Sequence, residues 1–146
     1  MKKEAPLIRY EEVHMMEVLI VDDDRSLAKL FKKAIEEWGY SAEFVHTGRE
    51  ALKKLGQKSF DLVLLDIVLP DGQGHHLIPR MRGLNPDLGI IAITGFNTRE
   101  LEIEVRKAGI NQYLSKPVGM DVLRMSVDHA AGRNHGLPGD RAASSE

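Results

Sequence analysis

Three carboxylates in a row, Asp22, Asp23 and Asp24, follow an apolar run in the stretch LIVDDDRS. Like charges on adjacent residues repel one another and gain nothing from burial, so such a run calls for a cation or a helix start. A fourth carboxylate, Asp66, ends the apolar stretch FDLVLLD. A hydroxyl, Thr94, ends GIIAIT, and an ammonium, Lys116, ends QYLSK. Three carboxylates without sulfur, and with no histidine required, make a hard oxygen site. Octahedral Mg²⁺ commonly takes one or two carboxylates, waters and a phosphate oxygen. A carboxylate can also be the nucleophile in phosphoryl transfer, provided that a metal and a cation offset the charge on the equatorial oxygens. Asp66 and Lys116 suit the roles of nucleophile and cation, and Thr94 could hydrogen-bond the added phosphoryl oxygens.

These residues lie almost a hundred positions apart, so the elements between them must gather them. EVLIV (Glu17 to Val21) is short, β-branched and unbroken by polar residues, as in a strand buried on both faces. Leu27, Leu30, Phe31, Ala34, Ile35 and Trp38 then recur at helical spacing, with Gly39 where a left-handed cap would end the helix. SAEFV is a second strand, TGRE (Thr47 to Glu50) a capping box opening a second helix, and FDLVLLD a third strand. QGHHLIPRMR looks helical, but Pro79 in a helix interior would cost roughly 3 kcal/mol, so a kinked or shortened helix is expected. GIIAIT is a fourth strand, NTRE (Asn97 to Glu100) caps a helix ending near Gly109, QYLSK is a fifth strand, and Met120 to about Ala131 is a last helix. Five β–α alternations imply right-handed crossovers and a parallel sheet with helices on both faces. Asp22, Asp23, Asp66, Thr94 and Lys116 then share the C-terminal edge of the sheet, where ligands bind in open α/β folds.

Composition narrows the classes. The chain has 146 residues, 42% of them apolar, enough for one domain with a real core. Twenty basic against 22 acidic residues leave a formal charge of −2, no electrostatic footprint for nucleic acid or an anionic membrane. Cysteine is absent, which fits a reducing, cytoplasmic setting. Apolar runs are strand-sized, and neither a signal peptide nor a membrane span is expected. Residues 1–16 read as an extension, 17–131 as the domain, and 132–146, rich in Gly, Ser and Pro, as a tail or linker.

The motifs VLIVDDD, DLVLLDIVLPDGQG, IIAITG and YLSKP, in this order and spacing, resemble the receiver domain of two-component response regulators, over roughly Glu17 to Ala131. The resemblance implies a flavodoxin-like, doubly wound five-stranded parallel sheet in the order 2-1-3-4-5, flanked by five helices. It implies a phosphorylation-dependent receiver rather than an enzyme, served by a histidine kinase or phosphotransfer protein. Carried over to this chain, Asp66 is the phosphoacceptor. Asp22 and Asp23, with the backbone carbonyl of Val68, complete a Mg²⁺ site. Thr94 is the switch hydroxyl, Lys116 the phosphate-binding lysine, Tyr113 the rotating aromatic, and Lys116–Pro117 a cis peptide. A downstream protein or a linked output domain would read the signal, and the family also offers homodimerisation.

The chain departs from the usual pattern in places. Gln73 replaces a common aspartate, so an amide would cap the following helix. Val68 is apolar where a polar side chain could orient an attacking water, so a long-lived phosphoryl group is expected. Bland readings also stand. Asp24 suits a helix cap better than a ligand. Tyr113 serves equally well as a half-buried strand aromatic. His75–His76, with no further histidine or cysteine at ligand spacing, reads as a solvated helix face. Arg25, Lys29, Lys32 and Lys33 form either a wet helix surface or a kinase contact. The competing function is a haloacid-dehalogenase-like phosphatase, in which Asp22, Asp24 and Ser26 give the D-x-D-x-S motif with Asp22 as nucleophile and Asp121 or Asp128 would have to help hold the metal.

Overall fold

The computed structural model describes residues 15–133. Five strands, β1 (Glu17–Val21), β2 (Ser41–Val45), β3 (Leu62–Asp66), β4 (Gly89–Thr94) and β5 (Gln112–Ser115), form one parallel sheet in the order 2-1-3-4-5. Between and after them run α1 (Arg25–Glu37), α2 (Gly48–Gln57), α3 (Ile78–Leu84), α4 (Arg99–Lys107) and α5 (Met120–Ala130). This is the doubly wound, flavodoxin-like receiver fold that the alternation and the resemblance foretell. Among the described residues no helix is long and apolar enough to cross a membrane.

The unbroken apolar strands are explained by burial on both faces. Val18, Ile20, Leu62, Leu64, Ile91 and Ile93 pack against Phe31 and Ile35 of α1 and Leu123 and Val127 of α5. Their alternate neighbours Leu19, Val21, Val63, Leu65 and Ile90 meet Ala51 of α2 and Ile78 and Met81 of α3. With a side-chain period of two, one strand therefore serves two cores. On a smaller patch, Leu101 and Val105 of α4 cover Ile67 and Ala92.

Local chemistry sets the helix starts. Asp24 accepts from the Leu27 N–H at 3.0 Å and is a cap, and Thr47 and Thr98 cap α2 and α4 in the same way. Glu50 reaches back to the His46 N–H at 2.9 Å, tying down the entry to α2. The segment QGHHLIPRMR resolves its conflict by splitting into a 3₁₀ turn, Gly74–Leu77, and α3, whose first turn holds Pro79. There the missing donor has no intrahelical partner to lose. Gln73 does not supply the expected amide cap. It stands at the cap position without a side-chain hydrogen bond, its backbone paired with Val68 in a short hairpin (Val68–Leu69 with Gly72–Gln73). Its side chain is one methylene longer than the residues that favour this role.

The expected extension and tail lie almost wholly outside the described residues. Of their described ends, Met16 is buried in the core with its carbonyl accepting from Ser41 N–H at 3.0 Å. The Arg133 guanidinium lies 4.6 Å from the Tyr40 ring centroid and donates to the Trp38 carbonyl at 3.3 Å.

Candidate functional site

Strand register does the gathering. Val21 pairs with Leu65, so Asp22 and Asp66 leave adjacent strands at the same level. Asp66 pairs with Ile93, and Thr94 pairs with Ser115, which brings Thr94 and Lys116 to the same edge. Lys116 Nζ donates to Asp22 Oδ2 at 2.9 Å and to Asp66 Oδ2 at 3.1 Å, across sequence separations of 94 and 50 residues. Each carboxylate uses its other oxygen locally: Asp22 Oδ1 accepts from Asp24 N–H at 2.9 Å and Asp66 Oδ1 from Val68 N–H at 3.1 Å. Lys116–Pro117 is cis, as the resemblance implies.

Asp22, Asp66 and Thr94 are buried and Asp23 is exposed, so the cluster opens to solvent on one side. One oxygen each of Asp22, Asp23 and Asp66 lies within 4.8 Å of the others. An all-oxygen triad of this span suits a hard divalent cation. Burial pushes the Asp66 carboxyl above the usual range and the Asp22 charge adds to this, although Lys116 works against both. Burial would lower the Lys116 ammonium, but its hydrogen bond to Asp22 and the charge of Asp66 outweigh that and hold it raised. Two carboxylates thus share one ammonium in a half-closed pocket.

Thr94 Oγ1 accepts from Phe96 N–H at 3.1 Å, which folds the chain after β4 back on itself. Tyr113 is half-buried; its hydroxyl donates to Asn97 Oδ1 at 3.0 Å, and the Arg106 guanidinium lies 5.4 Å from its ring centroid. Ser115 Oγ donates to the same Asn97 oxygen at 3.3 Å. Asn97 therefore latches the β4–α4 loop to β5. The Val68 side chain is 53% exposed beside Asp66. Arg25, Lys29 and Lys33 of α1 are exposed, while Lys32 pairs with Glu36.

Some contributors were not foreseen. Gly74 packs so closely on β3 that an added Cβ would lie 2.2 Å from the Asp66 carbonyl oxygen, and its N–H donates to Ile67 O at 2.7 Å. Asp71 accepts from Gly48 and Arg49 N–H at 2.8 and 2.9 Å, which binds the hairpin after Asp66 to the start of α2. These hydrogen bonds keep its carboxyl below the usual range. The D and G of the PDGQG stretch signal a turn, but not what the turn grips. His75 is a correction. It is buried rather than on a solvated face, and Glu104, 29 residues away on α4, reaches its ring.

The phosphatase alternative has no support. Asp121 is exposed and folded onto its own helix start, accepting from Val122 N–H, and Asp128 is buried against the Tyr40 hydroxyl and Arg124. Neither joins the triad, which leaves Asp22 without the acidic pair that such chemistry needs.

A parallel sheet with a buried acid–lysine cluster at its C-terminal edge defines a class of protein, and comparison with known proteins gives it a family. The model for the response regulator receiver domain matches residues 18–128, and the chain belongs to that family, a signalling domain of two-component systems. Among curated relatives, the transcriptional regulatory protein ZraR of Salmonella typhimurium is 33% identical over 115 residues, covering 79% of this chain and 26% of that protein. The chain spans about a quarter of the length of the curated relatives it matches. A receiver domain protein from Methanospirillum hungatei superposes with a TM-score of 0.76 at 32% identity, over 82% of this chain and 96% of that one. A response regulator from Burkholderia pseudomallei, solved with a phosphorylated aspartic acid, a calcium ion and citrate, gives 0.73 at 27% identity, over 80% and 69%.

Proposed function

We propose that Asp66 accepts a phosphoryl group from a phosphohistidine of a sensor kinase or phosphotransfer protein, and that the result is a change of surface rather than turnover of a substrate. The observation that carries this reading is the joint hold of Lys116 on Asp22 and Asp66 at 2.9 and 3.1 Å. Asp22, Asp23 and Asp66, with the Val68 carbonyl, would hold Mg²⁺, which when bound supplies positive charge against the carboxylates and the arriving phosphoryl oxygens.

The chain's own residues do the rest. An Asp66 carboxylate oxygen forms the bond to phosphorus as the P–N bond of the donor breaks, and the electron pair returns to the imidazole. Lys116, already in contact, balances charge on the transferred group, so catalysis is positioning plus electrostatics. The product adds nearly two negative charges and three acceptor oxygens. Thr94 gives up its hydrogen bond from Phe96 to meet them. Tyr113 then leaves Asn97 and turns inward, which shifts the population of states on the face formed by α4, β5 and α5. That face meets a downstream protein, a linked output domain or a second copy, and the basic residues of α1 border the kinase contact. A cytoplasmic location accompanies this role.

Incubation with acetyl phosphate and Mg²⁺ tests the assignment. Wild-type protein gains one phosphoryl group, and Asp66→Asn folds but gains none by intact-mass measurement. Labelling that survives Asp66→Asn and disappears in Asp22→Asn would overturn it in favour of Asp22 as nucleophile.

A further inference from the structure

On the 3₁₀ turn that begins with Gly74, and on α4, three more side chains converge. His75 and His76 lie on the 3₁₀ turn with ring centroids 4.5 Å apart and planes at 53°. Glu104 Oε2 lies 2.7 Å from His75 Nε2 and 3.5 Å from His76 Nε2, so one carboxylate oxygen faces both rings. One ligand atom from each of the three lies within 4.8 Å of the other two. His75 is 3% exposed and its second ring nitrogen, Nδ1, is buried without a hydrogen-bond partner. Of its two ring nitrogens it is Nε2 that faces Glu104 and so offers the ligand atom, and burying a polar ring is costly where packing alone would be met better by an apolar residue.

We infer that His75, His76 and Glu104 form a second divalent-cation site, for an ion of the Zn²⁺ class rather than Mg²⁺. Two imidazoles and one carboxylate are the borderline donor set that prefers Zn²⁺, Co²⁺ or Ni²⁺, whereas the rim, all oxygen, prefers hard ions. Three protein ligands leave a fourth position open to water or to a donor from another molecule. Exposure of His76 and Glu104, at 63% and 56% of their side chains, gives the ion a way in, and buried His75 gives a fixed anchor. The ion would tie the turn that presses on Asp66 to α4, the helix after Thr94. It uses none of the rim residues, and it does not rest on the phosphoacceptor assignment.

Co²⁺, added alone to the full chain in the presence of excess Mg²⁺ to fill the rim, reports the site through its visible ligand-field absorption. The expected result is one Co²⁺ per chain, displaced by Zn²⁺, with affinity lowered at least about tenfold in His76→Ala and in Glu104→Gln. Both altered side chains are exposed, Glu104→Gln keeps an acceptor oxygen for buried His75, and far-ultraviolet circular dichroism verifies the fold of each variant. Three results would overturn the site: no absorption in wild-type protein, Co²⁺ lost to Mg²⁺ competition alone, or unchanged affinity in both variants, which would move the ion to other histidines.

Discussion

The two ends of the sheet use the same polar residues for opposite purposes. At the N-terminal end, Asp61 accepts from Glu17 N–H at 2.8 Å, Asn111 from Ile90 N–H at 2.7 Å, and Asn85 donates to Phe60 O at 3.0 Å. Those side chains finish backbone hydrogen bonds that strand ends would leave unmade. Asp128, buried at that end, is met by the Tyr40 hydroxyl and Arg124. At the C-terminal end, Asp22 and Asp66 are equally deep but face each other across a single lysine. A buried acid with dedicated partners supports the fold. A buried acid that shares its partner remains available for a new ligand, and the fold bears some strain for it.

The largest effect that would break this contrast comes from the contact that closes the chemical end. Gly74→Ala drives a Cβ into the Asp66 carbonyl oxygen, which is backbone and cannot swing aside. A loss of about 3 kcal/mol in urea unfolding is expected. Gly83, in α3 with nothing within 4 Å of its added Cβ, is the control: Gly83→Ala should gain about 0.5–1 kcal/mol. Equal effects at the two positions would mean that the tight approach at Asp66 is not a constraint.

The supporting end gives the next effect. Tyr40→Phe leaves buried Asp128 one donor short, a cost of about 1–2 kcal/mol at neutral pH. Burial and then the hydrogen bond to Asp128 push the Tyr40 phenol up to about 12. The native state therefore holds this proton more tightly than the unfolded chain does. That stabilisation is complete below about pH 10, the ordinary tyrosine value, and is lost as pH rises from there through 12. Wild-type stability should fall across that window with a slope that Tyr40→Phe lacks, and matching slopes in the two proteins would refute the assignment.

Much of this molecule can be read without coordinates because its signals are local. Five strands show as apolar runs, the caps at Asp24 and Thr47 as short polar residues before periodic segments, and Asp22, Asp66, Thr94 and Lys116 as polar ends to apolar runs. What the sequence hides is pairing at a distance. Nothing near His75 announces Glu104, and nothing near Asp71 announces the Gly48 and Arg49 amides, since both partnerships depend on how α2 and α4 lie against the loop after β3. Pro79 marks a conflict correctly, but it gives no hint that a 3₁₀ turn would resolve it.

At the chemical end, removing the charge of the proposed phosphoacceptor should strengthen the fold. Asp66→Asn relieves the repulsion with Asp22 and leaves Lys116 to one carboxylate, so urea unfolding without added Mg²⁺ should show a gain of about 1 kcal/mol. Asp61→Asn, at the other end, keeps a side-chain acceptor for Glu17 N–H but loses its charge, and should fall slightly or stay level. If both changes moved stability in the same direction by the same amount, sharing of the lysine would carry no electrostatic load.

The smallest effect concerns the lifetime of the phosphoryl group proposed on Asp66. The Val68 side chain is 53% exposed beside Asp66 and has no polar atom with which to hold an attacking water. An amide at this position could supply one hydrogen bond to that water, worth roughly 0.5–1.5 kcal/mol and thus a roughly 2- to 10-fold faster loss of the phosphoryl group. Because position 68 is exposed, Val68→Asn should leave unfolding within about 0.5 kcal/mol of wild type. The two readouts separate a change in chemistry from a change in fold, and an unaltered phosphoryl half-life in this variant would move control of hydrolysis away from position 68 and toward water access at Asp23.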